Sequence, residues 1–238
     1  MSTLKGVENI DTLMRPCELP GRLRADYLAF NRFAIIEQKS LDVDPDYKAQ
    51  AFIDKVIRDH AIIGAGQVSL ESIFRQLPDG DALRTELYHI LAKNLDDILA
   101  KADKQARDTR ATFLISEAIG IVVILNDSSQ FIQPDLVVFK AFDMLRKRLP
   151  NGEIRYPNNQ VVLLISEAHR VVTGDRRELI PIETIFSDAG NSLQMATHCA
   201  DTLKRRWVEF NQAEYVEAPV EPRNVRTRDR AKVHLLKR

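Results

Sequence analysis

Residues 25–41 read ADYLAFNRFAIIEQKSL. Apolar, β-favouring residues lie on both sides of Asn31-Arg32, which marks two strands joined by a turn. With Asn31-Arg32 as a two-residue turn, residue 30 sits opposite 33, 28 opposite 35, and 26 opposite 37. That register sets Asp26 across from Glu37. The period of two along a strand places Glu37 and Lys39 on one face, so the three charges converge. Asn-Gly would be the stronger turn signal, and a slip of one residue would undo the alignment.

Two facing carboxylates repel unless something neutralises them. Lys39 supplies one positive charge, and a divalent cation would supply more. Carboxylate oxygens suit Mg²⁺, which keeps several waters and contacts substrate phosphate. A lysine beside such an ion can orient or polarise the attacking water, which is the chemistry of metal-assisted phosphodiester hydrolysis. The plainer alternative is a ladder of salt bridges on the wet face of a sheet. The FAII run argues for a strand buried on both faces, where three charges are costly without a role.

Outward from the hairpin, residues 7–14 (VENIDTLM) have the spacing of a short amphipathic helix, interrupted by Pro16 and Pro20-Gly21. After the hairpin, a turn at Asp44-Pro45-Asp46 opens a helix that ends near Gly64. A capping-box pattern starts a helix at Ser69, and Pro78-Asp79-Gly80 ends it. A long helical pattern covers 81–112. IGIVVILND reads as a buried strand, 135–149 as a helix, NQVVLLIS as a second buried strand, and SLQMATHCADTLKRRWVEFNQAEY as a late helix. This order predicts an α/β or α+β fold, with a mixed sheet covered by helices. Residues 1–215 are expected to form one domain and 216–238 a basic tail. Its last sixteen residues carry seven Arg or Lys and one Asp.

The 238 residues can bury a large core, and 45% apolar with 29% charged residues is an ordinary globular mix. Formal net charge is zero, from 34 basic and 34 acidic residues, so nucleic-acid binding must come from a local patch. Cys17 and Cys199 lack the spacing of a zinc site and read as free thiols of a reducing compartment. No signal-peptide pattern opens the chain, and the apolar run 119–125 is too short to span a membrane. A cytoplasmic protein is expected.

Asp26…Glu37-Gln38-Lys39 resembles the motif of the PD-(D/E)xK nuclease superfamily, the restriction-endonuclease-like proteins. That superfamily places an Asp on one strand of a hairpin and (D/E)-x-K on the next. A helix usually precedes the hairpin, and another helix and a strand follow it. The resemblance implies a Mg²⁺- or Mn²⁺-dependent nuclease acting on DNA. Asp26 and Glu37 would bind the metal with help from the Gln38 carbonyl, and Lys39 would assist the water. It further implies an acidic residue from the first helix, with Glu8 the best match and Glu18 second. A Gln or Lys on the later helix is matched by Gln105. IGIVVILNDSS looks like the strand-to-loop segment of bacterial members. Ala25 stands where the motif has proline, and the resemblance says little about 150–238.

Arg107 and Arg110, near Gln105 on the long helix, are candidates for phosphate contacts. Lys204, Arg205 and Arg206, beside Trp207, are a second basic group able to grip a backbone and stack on a base. Each of these groups also reads as ordinary solvated surface. Gly64-Ala65-Gly66 lacks the third glycine of a dinucleotide fingerprint, since Ser69 holds that position. Five scattered histidines form no HExxH, and no G-x-S-x-G is present. Two alternatives stay open: a non-catalytic nucleic-acid-binding or protein-interaction module on the same fold, and a structural domain whose charged hairpin is merely exposed. A homodimer or a protein partner is likewise left open.

Overall fold

A computed structural model of the chain describes residues 6–13, 23–41, 44–60, 70–129, 132–172, 178–188, 193–217 and 233–237. In chain order the elements are β1 (Val7–Asn9), α1 (Ile10–Leu13), β2 (Tyr27–Ala29), β3 (Ala34–Ser40), α2 (Asp44–Asp59), α3 (Leu70–Gln76) and α4 (Gly80–Phe113). These are followed by β4 (Ile119–Asn126), α5 (Pro134–Arg146), β5 (Val161–Ser166), β6 (Val171–Val172), β7 (Glu178–Phe186), α6 (Leu193–Phe210), β8 (Glu214–Glu217) and β9 (Val233–Lys237). The described strands form one mixed sheet in the order β1-β2-β3-β4-β5-β7-β9-β8, with β6 pairing to β7.

The hairpin lies at one of the two antiparallel ends of this sheet. Tyr27 pairs with Ile36, Leu28 with Ile35 and Ala29 with Ala34, the register expected of a two-residue turn. Asn31 and Arg32 have φ of 53° and 69°, and Phe33 N–H donates to the Phe30 carbonyl. Phe30 is left-handed as well, at φ 54°, so the left-handed stretch extends one residue beyond a two-residue primed turn and is filled by residues other than the favoured glycine. β3, β4 and β5 run parallel, and pairing is antiparallel again from β5 to β7, β9 and β8. β3 pairs with β4 and β4 with β5, so each connection must cross over through helix.

Both crossovers place their helices on one face. Val122, Ile124, Val162 and Leu164 pack there against Ala49, Leu99, Ala102, Ala141 and Leu145 of α2, α4 and α5. The opposite face presents Ile36, Ile121, Val123, Leu163 and Ile165 to Ala196, Cys199, Ala200 and Leu203 of α6. A smaller cluster of Ile10, Ala25, Leu28, Ile35, Ala106 and Ala118 seats α4 on the hairpin. The α/β reading with a helix-covered mixed sheet thus holds, including the late helix α6.

Several expectations fail locally. The helix expected over 7–14 is replaced by β1 and the four-residue α1. Val7, Glu8 and Asn9 complete the edge of the hairpin by pairing with Ala29, Leu28 and Tyr27. The Asn9 side chain then accepts the Asp11 N–H at 2.9 Å and starts the helix only after the strand ends. β7, which contains Pro181, has no counterpart among the expected elements. Its pairing to β5 begins at Ile182, so Pro181 lies beyond that ladder. The segment expected as a solvated tail supplies β9, which pairs with both β7 and β8. No helix among the described residues is long and apolar enough to cross a membrane.

Candidate active site

Followed back from the turn, β2 ends at Tyr27, one residue short of Asp26, and this shapes the site. Asp26 N–H still reaches the Ile36 carbonyl at 3.2 Å, and its carbonyl accepts the Ile10 N–H at 3.0 Å. Its side chain takes over where the strand stops: Asp26 Oδ2 accepts the Gln38 N–H at 2.7 Å. The carboxylate therefore completes the ladder on β3 and is fixed against the Glu37-Gln38-Lys39 segment.

Glu37 follows Ile35 on the face covered by α4, and pairs in register with Val122. It is 2% exposed. The Lys39 ammonium, on the same face and partly open to solvent, forms an ion pair with Glu37 Oε1. Neither carboxylate oxygen of Glu37 receives a hydrogen bond of regular geometry. Burial pushes its carboxyl up to about 7, and the negative charge of Asp26 adds to the rise, while Lys39 and the Gln105 amide oppose it. Glu37 is thus a buried carboxyl whose charged form burial disfavours and whose partners are Lys39 and Gln105.

Helix α4 contributes the fourth group. Gln105 Nε2 donates to the Arg24 carbonyl at 2.6 Å, and its amide also bears on Glu37. One turn later the buried Thr109 accepts the Ala25 N–H on its Oγ1 at 3.0 Å. Asp26, Glu37, Lys39 and Gln105 are therefore neighbours, although Gln105 is distant in sequence. Thr109 escaped the sequence reading. Its only signal was the spacing of four from Gln105, which puts both on one helix face.

The remaining candidates lie elsewhere. Glu8 stands opposite Leu28, nearer the turn than Asp26, and its carboxylate pairs with Arg32 at 3.0 Å. It is held at the hairpin tip by that contact and does not join the set. Arg110 is a structural clasp: its guanidinium donates to the Ala118 carbonyl at 2.7 and 2.9 Å and to Gln160 Oε1 at 2.9 Å, and also reaches Asn158. Those donors tie it to the start of β4 and the approach to β5. Arg107 is exposed and pairs with Asp108. The Lys204-Arg205-Arg206 run does not form one patch. Lys204 is 1% exposed on the sheet-facing side of α6, with Asp201 Oδ1 at 2.6 Å. Arg205 stacks over Tyr215, and Arg206 is exposed beside Glu209. Helical periodicity explains the split, because consecutive residues point about 100° apart. Cys199 is a buried free thiol, whereas Glu18, Cys17, Gly64-Ala65-Gly66 and the tail arginines lie outside the described residues.

Among the described residues, no group of three or more His, Cys, Asp or Glu side chains is arranged to hold a metal ion. The acidic pair Asp26 and Glu37 supplies two carboxylates. No protein-family model matches the chain, and neither a curated protein nor a solved structure matches it.

Proposed function

We propose that the chain is a nuclease-like hydrolase of DNA phosphodiester bonds, dependent on Mg²⁺ or Mn²⁺, on a restriction-endonuclease-like fold. The observation that carries this reading is the buried Glu37 carboxyl, its charged form opposed by burial and by Asp26, set beside Lys39 and Gln105. The hairpin followed by helix α4 and the parallel strand β4 also agrees with the pattern that the motif implies.

The residues present fit a hard divalent cation. Asp26, Glu37 and the Gln38 carbonyl offer oxygen donors, and two protein carboxylates are enough for Mg²⁺, which retains waters. Glu37 is buried, with Lys39 as its cationic partner and Asp26 as a second carboxylate beside it, so a bound cation would offset the negative charge that remains. Asp26, Glu37 and the Gln38 carbonyl would hold the ion, which when bound acts as a Lewis acid at the scissile phosphate. The chain's own contributions are separate. Lys39 orients water and offsets the charge of Glu37. Gln105 ties Arg24, at the approach to Asp26, to Glu37. The α4 face and Ile35 exclude bulk water from the Glu37 side, which strengthens the local electrostatics.

Cleavage of single- and double-stranded DNA and RNA with Mg²⁺ or Mn²⁺ tests the reading, alongside Asp26→Ala and Lys39→Ala. Wild type is expected to cut DNA, with each variant at least about 100-fold slower. Equal rates in all three would refute the assignment. The direct Lys39–Glu37 ion pair favours a second reading, a binding module without turnover, in which nucleic-acid or partner binding survives Glu37→Ala. A divalent-metal site abolished by that substitution counts against it.

A further inference from the structure

Asp26 is held by more than its own side chain. The peptide before it is clamped on both sides by α4: Gln105 takes the Arg24 carbonyl at 2.6 Å and Thr109 takes the Ala25 N–H at 3.0 Å. Thr109 is fully buried, and Ala25 is 2% exposed. An amide N–H in that position has no water to turn to, so loss of the hydroxyl would leave it unsatisfied. Ala25 stands where the motif has proline, which carries no N–H. The alanine therefore brings a donor that the motif does not have, and Thr109 supplies its acceptor.

We infer that Thr109 is the positioning residue of this site: through the Ala25 amide it fixes where the Asp26 carboxylate meets β3. It touches neither metal nor substrate. The chain of contacts runs from Thr109 Oγ1 to the Ala25 amide, then through one residue of backbone to Asp26 Oδ2 and the Gln38 N–H. Thr109 lies on the same helix as Gln105, so a shift of α4 against the hairpin would move both contacts together. The metal-binding part of this inference rests on the function proposed above. The geometric part does not.

Thr109→Val keeps the shape and removes the acceptor, and Thr109→Ser keeps the acceptor. Two readouts on the full-length chain separate positioning from stability. The first is amide hydrogen exchange at Gln38, whose N–H reports the place of the Asp26 carboxylate, with the Leu163 amide in the central sheet as control. Thr109→Val is expected to speed Gln38 exchange roughly tenfold beyond any acceleration at Leu163, which reports the loss of global stability, while Thr109→Ser stays within about twofold of wild type at both. The second is calorimetry with Mn²⁺ alone, where Thr109→Val is expected to weaken binding roughly tenfold and Thr109→Ser to retain it. Wild-type behaviour of Thr109→Val in both readouts would overturn the inference, as would equal acceleration at Gln38 and Leu163. If wild type itself binds no Mn²⁺, the metal reading falls, and the exchange data alone decide the positioning role.

Discussion

Glu37→Gln gives the sharpest quantitative prediction. The Glu37 carboxyl is pushed from 4.5 up to about 7, chiefly by burial. Between those values the folded chain keeps a proton that the unfolded chain has released. Stability therefore falls as pH rises through this window. The favourable contribution is complete below the unfolded value and is lost as pH passes about 7. A rise of that size corresponds to about 3 kcal/mol. Gln is nearly isosteric with protonated Glu and does not titrate, so the variant escapes this loss. The assay is urea unfolding of wild type and Glu37→Gln at pH 5 and pH 8 without divalent ions. Groups that titrate alike in both proteins cancel in the difference. The variant is expected to gain about 2–3 kcal/mol relative to wild type between the two pH values, since part of the contribution is lost below pH 5. A stability difference independent of pH would refute the claim that Glu37 is a desolvated carboxyl.

Arg110→Leu removes the donors to the Ala118 carbonyl and Gln160, and is expected to cost about 2–3 kcal/mol in urea unfolding. A change below about 0.5 kcal/mol would contradict its role as a clasp. Gly120→Ala places a Cβ 1.8 Å from the Asn158 carbonyl oxygen in the heart of the sheet. Thermal unfolding followed by circular dichroism should show a loss of at least about 2 kcal/mol, and an unchanged Tm would show that the approach is not tight.

The hairpin site was legible because its residues are close in sequence and strand alternation is strict. Once Asn31-Arg32 is taken as the turn, Asp26, Glu37 and Lys39 have only one arrangement, and the observed pairing of Leu28 with Ile35 is that register. Long periodic or strongly apolar segments were legible for the same reason, as α4 and β4 illustrate. Gln105 could be placed only through the resemblance, since nothing local says which turn of a 34-residue helix faces the hairpin. What could not be read depends on tertiary partners. Glu8 looked like a helical acid until Val7–Asn9 paired with the exposed edge of β2. Lys204 looked like part of a basic cluster, but a charge run in a helix spreads over several faces. β9 lies in a run dominated by Arg and Lys, and its pairing with β7 and β8 is set by strands distant in the chain.

The central claim is that the hairpin charges form one cation site. Its most direct test is isothermal titration of Mn²⁺ into wild type and Asp26→Asn at pH 8, where Glu37 is mostly ionised. The account predicts a single saturable site in wild type that Asp26→Asn abolishes or weakens at least about 100-fold. Mn²⁺ binding of equal strength and stoichiometry in both proteins, or none in wild type, would contradict it.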